Sequence, residues 1–148
     1  MIYVFIDIDG VFNSRSSDWN KPGFTIDLDK VNEFNQLITD QCFVVLSSSW
    51  RSYPDQLQFI KNTGLIFQDQ IPPNRLTQSR YSEILNYINE HNIEDNFIIV
   101  DDDGSVRNVN EKNLVYTQFN IINGGLNKQK MEELKNKLDN LLTAENVH

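Results

Sequence analysis

Cysteine is nearly missing from this 148-residue chain. Cys42 stands alone, so no intramolecular disulfide can form, and a reducing compartment is expected. Histidine is almost as scarce, and neither His91 near an expected helix end nor His148 at the last position is assigned a role. Positive charge is outnumbered: 13 Lys and Arg against 21 Asp and Glu leave a net charge of −8. That balance argues against an extensive nucleic-acid-binding surface, while leaving room for a small basic pocket that holds one phosphate. No apolar stretch approaches the ~20 residues of a membrane-spanning helix, and MIYVFI meets Asp7 too soon to form a signal-peptide core. A cytoplasmic protein with no membrane partner is the expectation. Repeats and domain-boundary linkers are also missing.

What remains is globular composition, 39% hydrophobic and 23% charged, at a length suited to one core. Short β-rich apolar runs alternate with segments of helical period. Ile2 to Ile6, Phe43 to Leu46, Phe97 to Val100 and, more weakly, Leu114 to Thr117 read as strands. Leu28, Val31, Phe34, Leu37 and Ile38 recur at helical spacing after Asp27. A second helix starts near Pro54, carries Leu57 and Ile60 on one face and stops at Gly64. A third holds Ile84, Leu85 and Ile88 and ends near His91-Asn92. A last helix, capped by Asn127, turns Met131, Leu134, Leu138, Leu141 and Leu142 inward. Asn13 to Phe24 reads as a loop or short hairpin, and Phe67 to Ser79, with Pro72-Pro73, as a long connection. One domain over residues 1–142 is expected, with 143–148 as a frayed tail. The alternation predicts a three-layer α/β fold around a mainly parallel sheet.

In such sheets ligands bind beyond the carboxyl ends of the strands. Polar clusters fall there three times: Asp7-Ile8-Asp9-Gly10, Ser47-Ser48-Ser49 and Asp101-Asp102-Asp103. Carboxylates gathered at one edge repel each other, so a hard cation such as Mg²⁺ is the expected counter-charge. One carboxylate could then attack phosphorus, a second could move the proton, and a Lys or Arg could offset charge on the transferring group.

DIDGVF, VVLSSSWR, SRYSEI and IIVDDD, in that order, resemble the four-motif series of haloacid dehalogenase-like (HAD) phosphatases. More narrowly, SSSWR, the arginine before a Glu-Ile helix, DDD and Gly125-Leu126 resemble small capless members, some labelled Swiss-army-knife RNA-repair-like domains. The resemblance covers Ile2 to about Leu142. It implies a HAD-like, Rossmann-like fold without a large cap domain, and a Mg²⁺-dependent phosphomonoesterase working through an aspartyl-phosphate. On this pattern Asp7 is the nucleophile and Asp9 the general acid/base, whose backbone carbonyl also meets the metal. Ser48, with Ser47 as fallback, holds phosphoryl oxygens. Arg80 supplies the cation where many members use Lys, with Arg75, Lys61 and Arg51 as substitutes. Asp101 and Asp102 complete the metal site with Asp7 and Asp9, and Asp103 is less firmly placed.

The intervals before and after the serine cluster hold little more than helices and loops, so an open site is implied, with a short flap over Asn13 to Phe24. Open sites suit nucleotides, polynucleotide ends or phosphoproteins as phosphorylated partners, and nucleotide or nucleic-acid terminal phosphates are favoured. Arg15, Lys21 and Arg51 are candidates for an electropositive rim, Trp19 for substrate contact and Trp50 for packing. Two other classes fit part of the pattern: a receiver-like phospho-accepting signalling domain, and a binding protein that keeps the metal site without turnover. Receiver acceptors normally sit on a mid-chain strand, whereas Asp-x-Asp-Gly follows the first strand here.

Overall fold

The computed structural model describes residues 1–72 and 78–147. Five strands form one all-parallel sheet: β1 (Ile2–Ile6), β2 (Cys42–Leu46), β3 (Asp69–Gln70), β4 (Phe97–Asp101) and β5 (Leu114–Tyr116), in spatial order β3-β2-β1-β4-β5. Four α-helices cover it: α1 (Leu28–Leu37), α2 (Pro54–Asn62), α3 (Arg80–Glu90) and α4 (Lys128–Val147). Among the described residues no insertion is large enough to form a cap domain.

Alternation along each strand divides the core. Val4, Ile6, Val44, Leu46, Ile98 and Val100 face α1, α2 and α4, while Phe5, Val45 and Ile99 face α3. The topology accounts for this split. From β1 to β2 to β3 the chain steps one way across the sheet, and from β3 it returns past β1 to β4. A crossover of constant hand must then run over the opposite face, which puts α3 alone on its side. The direction reverses between β1 and β4, the point where α/β sheets open a ligand crevice.

Most elements match the sequence pattern. Gly64 ends α2 with φ of 83°, and the Lys130 N–H donates to Asn127 Oδ1 at the start of α4. Three details differ. Strand β3 lies within the expected connection; its Asp-Gln sequence offers no alternating apolar signal, and it pairs with β2 through the backbone. Leu28 opens α1 but is 57% exposed, because Val31 and Phe34 take the inward face. Helix α4 continues through residues 143–147, beyond the boundary expected at 142.

Phe34 meets Phe12 edge-on, with ring centroids 5.4 Å apart, and both are fully buried. Phe34→Ala should cost about 3–5 kcal/mol of unfolding free energy, measured by urea denaturation. A loss below about 1 kcal/mol would mean that this aromatic pair does not anchor α1 to the motif that follows β1.

Candidate active site

Strand register brings the polar clusters together. Ile6 pairs with Leu46 on one side and Val100 on the other, so the next residues, Asp7, Ser47 and Asp101, stand abreast. The Asp7 N–H donates to the Val100 carbonyl at 3.1 Å, and the Ser47 N–H to the Ile6 carbonyl at 2.9 Å, carrying the pairing one step further. These residues share the parity of Phe5, Val45 and Ile99, and so belong to the face that carries α3. Arg80 is the first residue of that helix, after an N-cap at Ser79 whose hydroxyl accepts from the Ser82 N–H. Its Nη1 lies 2.9 Å from Asp101 Oδ2 and 3.2 Å from Asp7 Oδ1. One guanidinium thus bridges the ends of β1 and β4.

Asp102 joins the same cluster: one oxygen each from Asp7, Asp101 and Asp102 falls within 4.8 Å of the others, a set able to hold a metal ion. Gly10 makes this approach possible. Its φ is 79°, and a Cβ there would collide with the Asp102 carboxylate. The charges are poorly balanced by protein alone. Burial and then the Asp7 charge raise the Asp101 pKa well above the usual carboxylate range, despite Arg80. The same two causes push Asp102 up to about 7. For Arg80, burial opposes the charged form, but the Asp7 and Asp101 carboxylates outweigh it and hold its pKa above the ordinary arginine value. Three acids with oxygen ligands only, and one cation among them, suit a hard divalent cation.

The Asp9 carboxylate stands apart from that cluster. Its Oδ1 accepts from Asn13 Nδ2 at 2.9 Å and its Oδ2 from Trp50 Nε1 at 3.0 Å. Trp50 is therefore more than packing. Asn13 also accepts the Gly10 N–H at 2.9 Å and donates to the Thr25 carbonyl at 2.9 Å, so one buried amide pins the turn, the second carboxylate and the far end of the flap. Thr117 Oγ1 donates to the Gly10 carbonyl and clamps the turn from β5. Neither Asn13 nor Thr117 was singled out from sequence. Asn13 had a weak local signal, an Asn three residues after a turn glycine; Thr117 had none, being 107 positions away in the chain.

Ser47 donates its hydroxyl to the Ile6 carbonyl at 3.0 Å, a bond that commits it to the β1–β2 junction. Ser48 Oγ accepts the Trp50 N–H at 3.2 Å, and its proton is not used in that bond. Arg51 is no rim residue. It is buried, with Nη1 donating to the Ser47 and Ser48 carbonyls at 2.9 Å each, Nε to the Ile71 carbonyl at 2.7 Å, and Nη2 paired with Glu83. The guanidinium is consumed in holding the serine loop to α3, which excludes it as the phosphate-binding cation. Asp103 caps a short 3₁₀ turn by accepting the Ser105 N–H at 3.0 Å. Lys61 is exposed on α2, and Arg75 lies outside the described residues. Trp19 is half exposed in the flap, with Nε1 donating to the Ser14 carbonyl at 2.9 Å. Arg15 and Lys21 are exposed on the same flap.

A parallel α/β domain with an acidic cluster and one bridging guanidinium at its topological switch point belongs to the class that works on ligands at strand ends. The chain is a member of the HAD domain family of Swiss Army Knife RNA repair proteins, matched over residues 3–131. That membership supports a HAD-type phosphatase in general. No curated protein and no solved structure matches the chain.

Without divalent cation, the raised Asp102 pKa makes stability depend on pH in a definite direction. Folding draws this group's pKa from the usual 3.8 up to about 7, so the folded state binds its proton more tightly. The group costs nothing below the lower value, and its penalty grows until pH passes the upper one. In chelator, Asp102→Asn should therefore stabilise the protein above pH 7, on the order of 1 kcal/mol after solvent screening, and not at pH 4. Thermal melts of both proteins across this range check it; a difference independent of pH would contradict the electrostatic origin.

Proposed function

We propose that this domain is a Mg²⁺-dependent phosphomonoesterase that forms an aspartyl-phosphate on Asp7 and acts on terminal phosphates of nucleotides or nucleic acids. The observation that carries this reading is the convergence of Asp7, Asp101 and Asp102 with Arg80 bridging the first two. Membership in a family described as RNA repair domains supports the substrate class, and the absence of a large cap among the described residues suits a phosphate presented at a chain end. Asp7, Asp101 and Asp102, with the Asp9 backbone carbonyl, would hold the cation, which when bound offsets the carboxylates and the charge of the phosphoryl oxygens.

Asp7 Oδ1 accepts the Ile8 N–H at 2.7 Å and lies against Arg80, so attack on phosphorus falls to Oδ2. As the Oδ2–P bond forms, the bond from phosphorus to the leaving oxygen breaks, and Asp9 gives that oxygen a proton. Asp9 then takes a proton from water, which attacks the phosphoaspartate, releases inorganic phosphate and restores the Asp7 carboxylate. Asn13 and Trp50 fix the Asp9 carboxyl from two sides, so the proton is moved from a set position. Ser48 would donate to a phosphoryl oxygen, and Arg80 would offset charge on the transferring group.

Hydrolysis of an aryl phosphate with and without Mg²⁺ tests the reading. Asp7→Asn should lower turnover by about a thousandfold or more, and equal rates would sink the nucleophile. Asp9→Asn should lower turnover at least about a hundredfold and let a slowly decaying phosphoenzyme build up, seen by mass spectrometry. Independently of turnover, Mg²⁺ should raise the melting temperature of the wild type at neutral pH and do so much less in Asp102→Asn.

A further inference from the structure

The Asp9 carboxylate borders an open cleft of about 660 Å³ whose walls include Phe24, Trp50, Tyr53 and Gln56. This cleft is separate from the Asp7–Asp101–Asp102 cluster, none of whose residues lines it. On the proposed reaction, Asp9 protonates the leaving oxygen, so the leaving group must lie where Asp9 opens. We infer that the cleft is a leaving-group subsite for a nucleoside, with the base stacked on Tyr53; this rests on the phosphatase reading above.

The three rings differ in what they have left to offer. Trp50 is buried, spends Nε1 on Asp9 and packs against Phe24 and Phe59 with centroids 5.4–6.5 Å apart among the three rings. Phe24 and Trp50 therefore make a fixed aromatic wall. Tyr53 is 59% exposed, yet its backbone is held at both ends, its N–H donating to the Trp50 carbonyl at 3.1 Å and its carbonyl accepting the Leu57 N–H at 2.9 Å. A large ring with free area on a rigid stalk, beside an aromatic wall, suits a planar ligand at small entropic cost.

Polar groups narrow the choice. Ser49 and Gln56 put a hydroxyl and an amide on the rim, donors and acceptors that match the edge of a heteroaromatic base. A phenyl ring, as in phosphotyrosine, has no such edge. Asp55 also lines the cleft, and its carboxylate disfavours a leaving group that carries further phosphates into it. The occupant defined by these features is a neutral nucleoside, with any adjoining strand running elsewhere.

The test compares wild type, Tyr53→Phe and Tyr53→Ala on adenosine 5′-monophosphate, phosphotyrosine and glycerol phosphate. Tyr53→Ala should lower the ratio of kcat/KM for the nucleotide over glycerol phosphate about tenfold, carried by KM, and Tyr53→Phe should keep it within about twofold. An unmoved ratio, or a larger Tyr53 effect on phosphotyrosine than on the nucleotide, would overturn the assignment. A second measurement needs no turnover: adenosine should quench tryptophan fluorescence of Asp7→Asn saturably, and Tyr53→Ala should abolish this. Quenching of Asp7→Asn by adenosine, where the wild type hydrolyses none of the three phosphates, supports the cleft while refuting the phosphatase reading. Hydrolysis without quenching overturns the cleft alone.

Discussion

The bridge from Arg80 to Asp7 and Asp101 joins three places far apart in the chain: the end of β1, the end of β4 and the start of α3. Much of the domain can be understood as the support this bridge requires. Two buried carboxylates and a third beside them cannot sit together unless repulsion is offset. One guanidinium offsets part of it, and burial together with the remaining repulsion keeps Asp101 and Asp102 reluctant to ionise. The unbalanced charge is the physical reason the site is suited to a further cation, and it is a cost that the hydrophobic core on both faces of the sheet must cover.

Around that centre the backbone is held by polar residues that take no part in the charge cluster. Asn13 and Thr117 fix the Gly10 turn from opposite directions, one through its N–H and the other through its carbonyl. Arg51 gathers the carbonyls of Ser47, Ser48 and Ile71 and pairs with Glu83 on α3. Glu83 lies three residues after Arg80 on the same helix, so the ion pair that positions the serine loop also anchors the helix that delivers the bridging arginine. Loss of either partner would leave a buried charge unpaired, so the clamp resists the small displacements to which such a site is sensitive.

The two sides of the site are unlike. On the α3 face are the clustered acids and Arg80. Around Asp9 are Asn13 and the aromatic wall of Phe24 and Trp50, with Phe59 packed against both rings. Gly10 separates them: without its missing side chain Asp102 could not approach, and without its positive φ the chain would not turn between the two. A division between a charged side and an aromatic side is compatible with a substrate that is a phosphate at one end and a ring at the other.

Local pattern made four of the five strands, all four α-helices and the acids at two strand ends legible, because period and strand-terminal chemistry are carried by neighbouring residues. Arg80 entered through the resemblance of SRYSEI to the third motif of HAD phosphatases, at the start of a helix whose face was marked by Ile84 and Ile88. Strand β3 was not legible: its two polar residues are a strand only because β2 is there to pair with them. The use of Arg51 as a buried clamp, of Trp50 as a donor to Asp9 and of Thr117 as a lock on Gly10 also lay beyond the pattern. Each depends on the distance between groups remote in sequence, and such distances exist only once parallel register sets β1, β2, β4 and β5 side by side. Which residues carry charge and where strands end were thus properties of the chain itself. Which of those charges meet, and which polar side chains are spent on holding them, was decided by the packed sheet.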